Sequence, residues 1–135
     1  MAQLVDSSII IDLERRGLPL PVLFDSAPDE EMAIAAITAS ELLVGIHRAT
    51  SQAHRVRRSA FVEGALAELP VLAFDLDAAR VHASLSAEMS ASGQVIGSHD
   101  LLIAATALAH NYDVLTTNVR DFSRVPGLVV REPAW

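Results

Sequence analysis

The sequence predicts an α/β domain built on a largely parallel sheet covered on both faces. Short apolar runs alternate with longer stretches of helical pattern along the chain, the order expected when strands are joined by crossover helices. The short runs are apolar throughout instead of alternating apolar and polar, as strands buried on both faces must be. Length and composition bound the answer: 135 residues, 51% hydrophobic and 20% charged, are enough for a real core, so residues 1–135 read as a single domain.

Taken in order, Leu4-Val5 reads as a strand that ends at Asp6, and Ser7 to Arg16 as a helix that Gly17 stops. Pro19, Pro21 and Pro28 limit the next segment to short helical or loop pieces. Met32 to Ile37 is a compact apolar run, the second strand. Thr38-Ala39-Ser40-Glu41 carries the helix-start pattern T-x-x-E and predicts a helix through about Ala49. Ser51 to Leu69 is a second long helix closed by Pro70, and Val71 to Phe74 a third, buried strand. Asp77 to Ser92 is helical, with Gly93 and Gly97 in the loop beyond. Ser98 opens a strongly apolar helix that Asn111 ends. Val114-Leu115-Thr116 and Leu128-Val129-Val130 are the fourth and fifth strands.

Cysteine is absent, which excludes disulfides and thiolate metal sites and leaves oxygen or imidazole as metal ligands. Neither a basic signal-like N-terminus nor an apolar run of about 20 residues is present, and the expected location is the cytoplasm. The formal charge of -7 argues against a broadly basic nucleic-acid surface, an objection that weakens where several acids are metal ligands. All ten basic residues are arginine. Arg48, Arg55, Arg57 and Arg58 fall close together, either as a phosphate-facing stripe or as a solvated helix face.

Four acids stand where an open parallel sheet gathers its functional groups, beyond the carboxyl ends of strands. Asp6 follows the first strand, Glu41 the second, Asp121 the fourth, and Asp100 begins the helix leading to the fourth. Each has a plain structural reading. Asp6 serves as an N-cap, Glu41 as the reciprocal half of a capping box, Asp100 as a first-turn acid and Asp121 as a turn former. Jointly those readings weaken, because four carboxylates at one sheet edge repel one another unless a cation sits among them. Oxygen-only ligation selects Mg²⁺, with Mn²⁺ as a substitute, and such ions serve phosphodiester hydrolysis.

The motifs that carry these acids resemble the PIN-domain ribonucleases, and among them the VapC-type toxins of bacterial toxin-antitoxin pairs. They are Leu4-Val5-Asp6-Ser7-Ser8, the E-L-x-x-G-I run from Glu41 to Ile46, the D-L-x-I-A-A-x-A run from Asp100 to Ala107, and T-x-N-x-x-D-F from Thr116 to Phe122. Val125-Pro126-Gly127-Leu128 closes the set, and the likeness spans nearly the whole chain. The resemblance implies an α/β/α sandwich on a mostly parallel sheet of about five strands. It implies an endoribonuclease with Asp6, Glu41, Asp100 and Asp121 as catalytic, metal-binding quartet. Ser7, Thr117 and Asn118 match positions that support the acids or the scissile phosphate. Partners implied are an RNA substrate, a VapB-type antitoxin covering the active site and a second copy in a homodimer, with higher toxin-antitoxin assembly as a further form.

His47 and Arg48 follow Glu41 closely enough to meet a phosphate, and Arg120 and Arg124 bracket Asp121; each reads equally as surface charge. His99, beside Asp100, reads as a surface or capping residue before it reads as a general base. A phosphoacceptor signalling domain shares the Asp after a first strand but relies on a lysine, and this chain has none. A phosphatase using Asp75-Leu76-Asp77 as a D-x-D pair also leans on a lysine; Asp77 reads better as a helix N-cap. The remaining alternative is a catalytically inactive PIN-like domain that binds RNA or a partner.

Overall fold

Twelve elements follow one another in the computed structural model, which describes residues 1–135: β1 (Ala2–Val5), α1 (Ser7–Arg16), α2 (Pro21–Asp25), β2 (Glu31–Ala35), α3 (Ala36–His47), α4 (Gln52–Glu68), β3 (Val71–Leu72), α5 (Leu76–Ala91), α6 (Ser98–His110), β4 (Asp113–Leu115), α7 (Val119–Phe122) and β5 (Val130–Arg131). The strands form one sheet in the order β3-β2-β1-β4-β5, and every neighbouring pair is parallel. From β1 the chain builds outward through β2 and β3, then crosses back to set β4 and β5 on the other side. The winding reverses between β1 and β4, so a crevice lies beyond their carboxyl ends, where such sheets bind ligands.

Alternate strand residues face opposite sides of the sheet, which explains why the strands are apolar throughout. Leu4, Ala33, Ala35 and Val114 meet Leu85, Ile103 and Phe122 on one face. Val5, Met32, Ile34 and Leu115 meet Ile9, Leu13 and Val62 on the other. The result is the α/β/α sandwich, with α5 and α6 contributing to one layer and α1 and α4 to the other. Ile103 to Ala107 are all buried, and three alanines among them let α6 lie close to the sheet.

Helix stops are met as expected by left-handed residues, Gly17 at φ 67° after α1 and Asn111 at φ 59° after α6. Several boundaries differ from the sequence reading, among them the fourth and fifth strands, which are Asp113–Leu115 and Val130–Arg131 in place of Val114–Thr116 and Leu128–Val130 because pairing across the sheet sets where each ladder runs. The second strand ends at Ala35 and α3 begins at Ala36, so Thr38 lies inside the helix and forms no capping box with Glu41. Alanine is a strong helix former, and the early start lets Ile37 pack against the core. The third strand is two residues at a sheet edge with Val71 exposed, because no strand covers its outer side. Asp75, in place of Asp77, caps α5 by accepting a 2.9 Å hydrogen bond from the Ala78 N–H. The four-residue α7 was not expected.

At the amino end of the sheet, Arg131 donates to Glu30 Oε1 and to Asp113 Oδ2, each at 2.8 Å, and Gln3 donates to Glu30. Burial pushes the Arg131 pKa down, but the two carboxylates outweigh it and leave it raised. This clip fastens the last strand to β1 and β4 and to the entry of β2. No helix is long and apolar enough to cross a membrane.

Candidate active site

Asp6 occupies the N-cap position of α1 with extended backbone, yet its side chain makes no capping hydrogen bond. Its Oδ2 instead accepts from Ser8 Oγ at 2.8 Å and from Thr116 Oγ1 at 2.7 Å. Ser8 belongs to the first turn of α1 and Thr116 follows β4, so the pair spans the point where the sheet reverses. Ser8 Oγ also accepts the Thr117 N–H at 3.1 Å, and Thr116 Oγ1 accepts the Asn118 N–H at 2.9 Å. The hydroxyls therefore pin the loop after β4 as well as the carboxylate. Asp6 is buried at 4% exposure, so two donors on one oxygen are needed to offset its lost hydration.

Asn118 performs the second link. Its side-chain amide donates to Asp100 Oδ2 at 3.1 Å and to Asp121 Oδ2 at 3.2 Å, joining the first turn of α6 to α7. Glu41 approaches from the second turn of α3, not from its cap, and its Oε2 lies 3.4 Å from His99 Nδ1. The other oxygen, Oε1, is buried without a hydrogen-bond partner. Arg124 lies 3.6 Å from Asp121 Oδ1 and donates to the Val95 carbonyl. No cation touches Asp6 or Asp100.

Asp6, Glu41 and Asp121 each lie within electrostatic range of Asp100. Asp100 is pushed up to about 6, first by burial and then by the charges of Asp6, Glu41 and Asp121, while the Asn118 amide pulls the other way. No three His, Asp or Glu side chains are set to enclose a metal ion as they stand. The donor chemistry nevertheless fits a hard divalent cation: oxygen ligands only, an orphaned buried carboxylate oxygen at Glu41, and charge crowding that a cation would relieve.

Of the supporting residues expected from sequence, Asn118 holds two of the acids. Ser7 is buried, and it is the neighbouring Ser8 hydroxyl that holds Asp6. Thr117 contributes its backbone N–H, while the neighbouring Thr116 supplies the hydroxyl. Arg48 is the exposed C-cap of α3, seven residues and about 10 Å along the axis from Glu41. Ser8 and Thr116 were missed. The signal available was a second hydroxyl after Asp6 and a polar residue closing an otherwise apolar strand.

Residues 4–128 match the family described as PIN domain. Ribonuclease VapC of Rickettsia bellii is 37% identical over 96% of this chain and 95% of its own length. Ribonuclease VapC1 of Rickettsia felis is 35% identical over the same shares. Among solved structures, the DNA-bound VapBC of Salmonella typhimurium superposes with a TM-score of 0.86 at 28% identity, covering 98% of both chains. With a family match over almost the whole chain and relatives above one third identity at full coverage, the chain belongs to the PIN-domain family, in its VapC branch.

Proposed function

We propose that this chain is a cytoplasmic endoribonuclease toxin, restrained by a VapB-type antitoxin, whose Asp6, Glu41, Asp100 and Asp121 together hold Mg²⁺, or Mn²⁺ in its place. The observation that carries the site assignment is the gathering of Asp6, Glu41 and Asp121 around the half-buried Asp100, whose carboxyl burial first and then those three charges push up to about 6. A purely structural arrangement would pair or separate such charges. The ribonuclease names of the full-length relatives and the VapBC assembly of the structural neighbour support the reaction and the partner.

A divalent cation supplies polarisation of a phosphoryl oxygen and a water acidic enough to attack phosphorus. The chain's own residues supply the frame. Ser8 and Thr116 fix Asp6 through one oxygen and leave Oδ1 free. The Asn118 amide aligns Asp100 and Asp121 and partly offsets their mutual repulsion. The buried Oε1 of Glu41 is a ready acceptor, and His99 holds the other oxygen at the rim. Without a cation, burial and the neighbouring acids push Asp100 up to about 6; a bound divalent ion would favour its charged form and so its role as a ligand.

The test is cleavage of labelled RNA by purified protein with Mg²⁺ or Mn²⁺, with chelator, and with Asp6→Asn and Asp100→Asn. Cleavage that needs the ion and both acids is the expected result. Folded protein that binds RNA and never cuts it, with either metal, would select the inactive binding domain instead.

A further inference from the structure

Two cavities join on the layer formed by α1, α3 and α4. One, of about 130 Å³, includes Glu41 and Gly45 in its wall, and the other, of about 630 Å³, opens toward the end of α1. They share Glu14, Arg15, Arg58 and Phe61, so a continuous groove leads away from the acidic cluster. The larger cavity is lined by Arg15, Arg57 and Arg58 against the single acid Glu14, a formal +2 in a chain whose net charge is -7.

The arginines differ in their commitments. Arg58 donates to Glu14 Oε1 at 3.2 Å and to the Gly45 carbonyl at 3.0 Å, fastening α4 to α1 and α3. Arg15 and Arg57 have no ion-pair or hydrogen-bond partner. Arg55, expected in the same stripe, points elsewhere: it donates to Gln52 Oε1 and the Ala49 carbonyl and lines neither cavity. The stripe read from sequence thus splits, and one of its unpaired members, Arg57, joins an arginine from another helix. Arg15 in the last turn of α1 also suits the helix dipole, but Arg57 in mid-α4 has no such reason to be there.

Resting on the ribonuclease reading, we propose that Arg15 and Arg57 form a subsite for a non-scissile phosphate of the RNA strand, with the half-buried Phe61 as an apolar wall for the adjoining nucleoside. Gly45 lies four residues beyond Glu41, about 6 Å along the helix axis, so the groove starts roughly one nucleotide step from the acids. The larger cavity has room for a nucleotide. Paired guanidinium groups suit phosphate oxygens, and an aromatic wall accepts any base. Two unpartnered guanidinium groups beside a cavity that has room for a nucleotide favour a phosphate-bearing strand; an antitoxin peptide that covers the active site would share the continuity with Glu41, and the poly-glutamate arm of the test detects it.

The test is equilibrium binding of a labelled oligouridylate to Arg15→Gln, Arg57→Gln and the double variant, over a range of salt concentrations, with Arg80→Gln as control. Both arginines are exposed and unpartnered, so unchanged thermal melting is expected. Each single variant should weaken binding by about tenfold, and the double variant, which loses one phosphate contact, should lower the slope of log affinity against log salt by about 0.7. In cleavage assays the loss should fall on KM. Oligouridylate binding unchanged in affinity and slope, while metal-dependent cleavage by the parent continues, would overturn the subsite and leave the ribonuclease reading intact. Loss of poly-glutamate binding with oligouridylate binding intact would also overturn it, marking the groove as a peptide site. A parent that cuts no RNA would instead defeat the reading beneath it.

Discussion

Acidic groups gather at both ends of this sheet, and the two ends treat them differently. At the amino end Glu30 and Asp113 each receive a 2.8 Å hydrogen bond from Arg131, and the charges are matched within the protein. At the carboxyl end Asp6, Glu41 and Asp121 crowd Asp100 with only His99 and Arg124 at the rim. Neutral donors, Ser8, Thr116 and Asn118, orient those acids without cancelling their charge. An arginine among them would be worth more to the fold. Its omission fits the proposed cation site, and the contrast separates charge-matched from unmatched carboxylates more sharply than acid content does.

Substitution at the two ends should therefore have opposite signatures. Asp6→Asn or Asp100→Asn should lower RNA cleavage by about a hundredfold or more, since cation-mediated charge stabilisation amounts to several kcal/mol, while leaving a folded protein. Asp113→Asn should leave cleavage near the parent rate. Comparable activity losses at both ends, measured at saturating Mg²⁺, would erase the distinction.

Next in size are the hydroxyls that aim Asp6. Ser8→Ala and Thr116→Val should each reduce activity or metal affinity by about ten- to a hundredfold, the usual cost of removing a group that orients a ligand. Ser7→Ala, whose hydroxyl does not hold Asp6, should cost far less in a side-by-side titration with Mn²⁺. Equal effects for Ser7 and Ser8 would show that the hydrogen-bond pattern is not what positions the acid.

Breaking the amino-end clip is a stability experiment. Arg131→Leu strands two mostly buried carboxylates and should destabilise by about 1–3 kcal/mol in urea, with kcat preserved in the folded fraction. A variant as stable as the parent would mean that Glu30 and Asp113 find water instead.

The same contrast explains what could be read from the sequence. The acids at the carboxyl end were legible because strand ends and helix starts are marked by period and by Gly or Asn stops, as at Gly17 and Asn111. The helical layer around Ser7–Arg16 was legible to the residue. The Thr38–Glu41 pattern misled because a local motif cannot say whether the chain has already turned helical at Ala36. The short α7 carries too few residues to show a period. The Arg131 clip was invisible because its partners lie 18 and 101 residues away, and only the order of the strands brings them together. The choice of Ser8 over Ser7 depends on which hydroxyl the first turn of α1 directs at Asp6, which sequence adjacency leaves open.

The smallest predicted effect probes the cost of burying and crowding Asp100. Asp100 has an ordinary value of 3.8 and stands at about 6 in the folded chain, so between those pH values the folded state holds more protons than the unfolded one. Stability of metal-free protein from this group must then fall as pH rises from about 4 to about 6, and stay low above that. The ceiling is about 3 kcal/mol. Solvent reaching the half-buried carboxyl reduces it to about 1–2 kcal/mol. Asp100→Asn removes the charge while keeping an acceptor for the Asn118 amide, so at pH 8 without metal the variant should be more stable than the parent by that amount. At pH 4 the gap should close. Adding Mg²⁺ at pH 8 should raise the melting temperature of the parent more than that of the variant, because the cation relieves a repulsion the variant no longer has. Parallel pH profiles for the two proteins in chelator would mean that the acids are too far apart, or too well solvated, to repel, and the contrast between the two ends of the sheet would lose its physical basis.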